Sequence, residues 1–149
     1  MACRQGTLRA HAAERSDKRM KEAPDRNSTH LAGEYFVAAE LYRLGYSVGM
    51  TIGNAKAIDV LVEKDGRMIP VQVKAIRNKK SVGWPMMKDR VRDDVVYVFV
   101  LLNQSGTKPD YFIATGAEAR SKVKQYETRG IIDLTSLKTA DFQERWDKI

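Results

Sequence analysis

Apolar positions fall into one helical stretch followed by a series of short, strand-like runs. Between His30 and Leu44, the residues Leu31, Tyr35, Ala38, Leu41 and Leu44 recur at helical spacing. Ser28 or Thr29 can cap this helix and Gly45 can end it. Beyond Gly45 the apolar runs shorten, and strands are expected over 46–52, 57–64, 67–76, 95–102 and 111–114. A second helix is expected over 117–126. From Asp133 onward the pattern fits a short strand or turn and a last helix near 141–147. A helix, a strand meander and then mixed elements predict an α/β or α+β domain built around one sheet. Residues 1–28 show no period and mix seven cations with four acids before the polar run after Pro24. They read as a disordered or loosely ordered basic tail, with the folded domain over 29–149. Met20 offers an alternative start.

The most informative stretch runs from Ala57 to Lys74. Asp65-Gly66 between two apolar runs is a two-residue hairpin signal. With that turn, Lys64 faces Arg67, and counting back places Asp59 opposite Gln72. Opposed residues share a sheet face, and alternation puts Lys74 on the face of Gln72, with Val71 and Val73 on the other. Asp59, Gln72 and Lys74 also interrupt otherwise apolar strands, where charged and amide groups are disfavoured. Against this stands the plainer picture of a half-exposed hairpin with a polar outer face. On the helix, Glu34 lies in line with Val37, Ala38 and Leu41, the stripe expected to meet the sheet. A carboxylate aimed at a core needs a cation or metal; a glutamate near a helix start is otherwise favoured by the helix dipole. Glu40 and Arg43 read as a surface ion pair.

Charge adds a direction. The net charge is +7, from 26 Lys+Arg against 19 Asp+Glu. Seven cations and one acid, Asp89, lie between Lys74 and Arg92. Lys56, Arg77, Lys79, Lys80, Lys88, Arg90 and Arg92 are therefore candidates for phosphate contacts. Trp84, within the basic segment, is a candidate for stacking on a base, set against core packing, the commoner fate of a tryptophan. One cysteine, Cys3, excludes an internal disulfide framework and a cysteine-based zinc site. His11 and His30 are too few and too badly placed for a His-rich metal site. Ser47, Thr51 and Ser81 lack a histidine partner at any motif spacing, and no Walker-type phosphate loop is present. The polar N-terminus gives no signal peptide, and no apolar run approaches the roughly 20 residues that span a bilayer. A cytoplasmic protein with no membrane partner is expected.

Glu34, then Asp59, then Gln72-Val73-Lys74 after a hairpin, resembles the PD-(D/E)XK nuclease superfamily, which includes restriction endonucleases, Holliday junction resolvases and some homing endonucleases. The runs from Gly33 to Leu41, Thr51 to Asn54 and Tyr97 to Val100 strengthen the likeness, which covers roughly residues 30–115. The resemblance implies a restriction-endonuclease-like α/β core, a mixed four- to five-stranded sheet flanked by helices. It implies a metal-dependent endonuclease that hydrolyses DNA through a magnesium-activated water, with manganese as a substitute and RNA as the alternative substrate. It makes Asp59 the main metal ligand, joined by Gln72, Glu34 and the backbone carbonyl of Val73. Lys74 becomes the motif lysine near the scissile phosphate. A homodimer is implied by resemblance alone. Gln72 stands where the family usually carries Asp or Glu, a variant known in some homing endonucleases. It leaves open a catalytically weak or inactive protein that serves as a nucleic-acid-binding or protein-interaction module.

Overall fold

The structure, a computed structural model, describes residues 25–51, 57–77 and 82–149. Lys56, Lys79 and Lys80 lie outside the described residues, as does most of the segment read as a tail. Helix α1 spans Arg26–Arg43, so it begins four residues earlier than the apolar period suggests. Asp25 is its cap in place of Ser28 or Thr29, accepting the Ser28 N–H at 2.7 Å. A cap needs a short acceptor side chain in extended backbone, which Asp25 supplies one residue after Pro24. Gly45 closes the helix at φ 90°, a conformation that favours glycine. Val37, Ala38 and Leu41 are buried, whereas Leu31, Tyr35 and Leu44 are exposed. The core-facing stripe is therefore narrower than the apolar period.

Among the described residues eight strands follow: β1 (Ser47–Met50), β2 (Val60–Lys64), β3 (Arg67–Ile76), β4 (Gly83–Pro85), β5 (Val96–Leu101), β6 (Asp110–Ala114), β7 (Lys124–Gln125) and β8 (Gly130–Asp133). Five make a mixed sheet in the order β1-β2-β3-β5-β6, in which β3 and β5 are parallel and the other neighbours antiparallel. The Asp65-Gly66 turn has φ 51° and 73°, the left-handed pair that a tight hairpin requires. It fixes the register from Lys64 and Arg67 back to Val60 and Val71.

Alternation along the central strands gives the sheet two apolar faces. Val71, Val73, Val98 and Val100 join Val37 and Leu41 of α1 in one buried cluster. Tyr97 and Phe99 join Trp84, Phe112, Ile132 and Leu137 in the other. The second cluster is covered by a three-stranded sheet, β4-β8-β7, which the apolar pattern did not predict. Its strands hold two to four residues each, too few for a period to emerge. The expected 117–126 helix is the shorter α2 (Gly116–Lys122), held by a Thr115–Glu118 capping box, and the chain then enters β7. The expected C-terminal helix is replaced by α3 (Leu134–Leu137) and a 3₁₀ turn at Trp146–Lys148.

Two features position the site. Gly33 brings α1 against β3 so closely that a Cβ there would lie 2.3 Å from the Ala75 Cβ. The connection from β3 to the parallel β5 crosses the other face and carries β4 and a 3₁₀ turn at Lys88–Arg90. Among the described residues no helix is long and apolar enough to cross a membrane.

Candidate functional site

Asp59 lies one residue before β2, where the hairpin ladder stops. In an unbroken ladder it would face Gln72. Instead its N–H donates to the Val71 carbonyl at 3.0 Å, although Val71 already pairs with Val60. Two residues thus oppose one, the count of a β-bulge, which re-aims a side chain at the end of a strand. The Val73 N–H, left without its ladder partner, donates to Asp59 Oδ2 at 2.7 Å. That bond fixes the carboxylate and leaves its second oxygen for other partners. N–H and C=O of a strand residue point the same way, so the Val73 carbonyl shares this edge of β3.

Glu34 approaches Asp59 from α1. Ligand atoms of His30, Glu34 and Asp59 all fall within 4.8 Å of one another. The Glu34 carboxyl is pushed above the usual carboxylate range by burial and by the Asp59 charge, with His30 pulling it partly back. Two carboxylates meeting in a partly dry site lack positive charge, the electrostatic condition for a cation. The donor set of two carboxylates and an imidazole fits a divalent metal ion.

Lys74 is on the opposite face of β3, paired with Phe99 of β5, and Gln72 is paired with Tyr97. Burial pushes the Lys74 ammonium below the ordinary lysine range, and Asp59 opposes that shift. Asp59 is therefore the residue whose charge reaches both Glu34 and Lys74. Gln72 and Lys74 line one cleft of about 390 Å³ with Tyr97, Arg90, Arg92 and Arg129. Ala57, two residues before Asp59, lines the same cleft. The expected single-face cluster is thus a site straddling the sheet: Glu34 on the helix side, Gln72 and Lys74 on the cleft side, Asp59 at the bulge between them.

The basic residues separate. Arg90 lines the cleft, exposed. Arg92 also lines it, but its guanidinium makes a two-pronged pair with Asp94 at 3.0 and 2.6 Å. Lys88 is exposed at the 3₁₀ turn, where its N–H donates to Gln125 Oε1 at 3.0 Å. Arg77 is drawn to the helix side, its Nε donating to Thr29 Oγ1 at 2.9 Å. The stacking role of Trp84 is corrected: Trp84 is 1% exposed, packs edge-on against Phe99 and Phe112 at 5.5 and 5.9 Å, and cannot reach a base. Pairing of β4 with β8 turns its ring inward. Two residues escaped the sequence reading. His30 was set aside for want of other histidines, yet its spacing of four from Glu34 already marks one helical face. Arg129 carries no sequence signal, since only the second sheet brings it to the cleft.

No protein-family model matches the chain, and no curated protein matches it in sequence. Among solved structures it is similar to the bacterial homing endonuclease I-Ssp6803I, at 14% identity and a TM-score of 0.59, over 84% of this chain and 93% of that one. It is also similar to Hjc, a Holliday junction resolvase of Archaeoglobus fulgidus, at 12% identity and a TM-score of 0.48, over 72% and 90%. The first likeness shows the fold, and the second is too distant to add to it. The architecture is the restriction-endonuclease-like one implied by Glu34, Asp59 and the Gln72-Val73-Lys74 run.

Proposed function

We propose that the protein is a metal-dependent endonuclease acting on DNA, with magnesium as the ordinary ion. One observation carries this reading: the carboxylates of Glu34 and Asp59 converge within 4.8 Å, with the Asp59 charge also reaching Lys74 beside a cleft bearing Arg90 and Arg129. Asp59 and Glu34 would hold the ion, with the Val73 carbonyl as a neutral donor on the same edge of β3 and the Gln72 amide oxygen reaching it from the cleft side. A bound divalent ion supplies Lewis-acid polarisation of the phosphoryl oxygen and a more acidic water. Lys74, whose downward shift from burial is opposed by Asp59, would in its charged form stabilise the negative charge that develops on the phosphoryl oxygens. Arg90 and Arg129 hold the flanking phosphates, and the Asp59–Val73 bond keeps the carboxylate from turning away. The oxygen of a water bonds to phosphorus as that water gives up a proton to solvent, the ester P–O bond breaks, and the leaving oxygen takes a proton from solvent.

Gln72 favours a second reading, a nucleic-acid binder that does not cut, because a neutral amide holds a divalent ion less firmly than a carboxylate. Purified protein is incubated with plasmid, branched and single-stranded DNA and magnesium or manganese. Cleavage by wild type, lost in Asp59→Ala and Lys74→Ala, is the expected result. Cleavage undiminished in both variants would sink the assignment, and salt-sensitive binding without cleavage would favour the second reading.

A further inference from the structure

His30 lies one helical turn before Glu34, the separation at which two side chains of a helix stand side by side. Its Nδ1 is 3.5 Å from Glu34 Oε1, and His30, Glu34 and Asp59 each offer a ligand atom within 4.8 Å of the others. Six-coordinate ions with ligands at roughly 2.1–2.3 Å place neighbouring donors about 3 Å apart and opposite donors about 4.5 Å apart. The bound of 4.8 Å is close to that span, so small side-chain rotations bring all three donors onto one cation. The His30 side chain is 44% exposed, yet Nδ1 itself is buried and has no hydrogen-bond partner among the described residues. A shielded ring nitrogen without a partner is costly, and beside two carboxylates a cation removes that cost. The neutral tautomer with its proton on Nε2 presents the Nδ1 lone pair.

We propose that His30 Nδ1 is a third ligand of the Glu34–Asp59 centre and biases it toward first-row transition ions over magnesium. This rests on the metal-holding role given to Glu34 and Asp59 above. Magnesium takes oxygen donors, whereas imidazole favours transition ions. Capping by Asp25 helps set the first turns of α1, so the His30–Glu34 pair sits on a rigid element rather than a loop.

The test needs no DNA. Cobalt and magnesium are titrated calorimetrically into wild type, His30→Ala, His30→Gln and Asp59→Ala, with circular dichroism to check folding. Manganese-loaded wild type and His30 variants are compared by pulsed EPR for ¹⁴N coupling. His30→Ala is expected to weaken cobalt binding by about tenfold or more and magnesium by less than about threefold, and to remove the ¹⁴N signal. His30→Gln is expected to do the same and carries the test if the alanine variant does not fold. Equal losses for both ions, or a ¹⁴N signal absent from wild type or kept in the variants, would overturn the assignment. Ion binding lost in Asp59→Ala but untouched in the His30 variants overturns only the third ligand. Wild type that binds none of these ions overturns the metal centre as well.

Discussion

The contact of Gly33 with Ala75 sets where Glu34 stands, so adding one methyl group at Gly33 tests the site through packing alone. In an exposed helix interior, Gly→Ala stabilises by about 0.8–1.0 kcal/mol. Here the new Cβ would sit 2.3 Å from Ala75 Cβ, with Val73 Cγ1 3.6 Å away. Carbon atoms rest about 3.5–4.0 Å apart, so helix and strand must part by more than about 1 Å. Overpacking of this kind costs about 1–3 kcal/mol. The terms oppose, and Gly33→Ala should lose up to about 2 kcal/mol, or about 4–8 °C in Tm for a chain of this size. Moving the methyl instead of adding it, with Gly33→Ala and Ala75→Gly together, removes the clash. That double variant keeps the helix gain and loses about 0.5–1 kcal/mol for glycine in a strand. Urea unfolding of the four proteins should yield a coupling energy of about 1–3 kcal/mol. Calorimetry should show weaker ion binding in Gly33→Ala, because Glu34 travels with the helix. A stability gain of about 1 kcal/mol in Gly33→Ala, or additive single effects, would refute the close approach.

Three further outcomes follow from the polar groups. Glu34 has its folded pKa raised, so its protonated form favours folding and that stability is lost as pH rises through the folded value. Glu34→Gln should therefore raise the Tm of the metal-free protein at neutral pH and flatten this pH dependence, while abolishing the Tm increase caused by added metal. Glu118 has the opposite sign: burial raises its pKa, but hydrogen bonds from Lys148 and Thr115 outweigh burial and lower it. Its contribution is present above about pH 4.5 and fades as pH falls through the depressed value, so Lys148→Met should lessen the loss of Tm in that acid window. The Tyr111 hydroxyl is buried without a partner among the described residues, and Tyr111→Phe should be neutral or stabilising by about 1 kcal/mol in urea unfolding.

The hairpin was readable because Asp65-Gly66 dictates its own turn geometry, and a tight turn transmits register residue by residue along two strands. That transmission failed at Asp59. The bulge depends on a bond between the Asp59 side chain and the Val73 main chain, and no periodicity encodes where a ladder ends. Glu34 was readable from helix phase, since a charge among Val37, Ala38 and Leu41 stands out. His30, four residues before Glu34, continues the same helical face, but one histidine there carries no metal signal in the sequence, so only the folded arrangement with Asp59 shows its company. Trp84 misled because Lys88 and Arg90, close to it in sequence, are exposed while Trp84 is buried, and the three short strands that bury it leave no pattern of their own.

Parallel strands cannot be joined by a tight turn, so the chain between β3 and β5 has to cross the sheet. In this protein that unavoidable detour carries Arg90 and Arg92 and forms one wall of the cleft. The wall can thus lengthen, shorten or change its charges over evolution without disturbing the strand order. The Asp59 bulge has no such freedom, because it is made from the ladder itself. Divergent descendants of this fold would be expected to vary the crossover while leaving the Asp59 edge almost untouched.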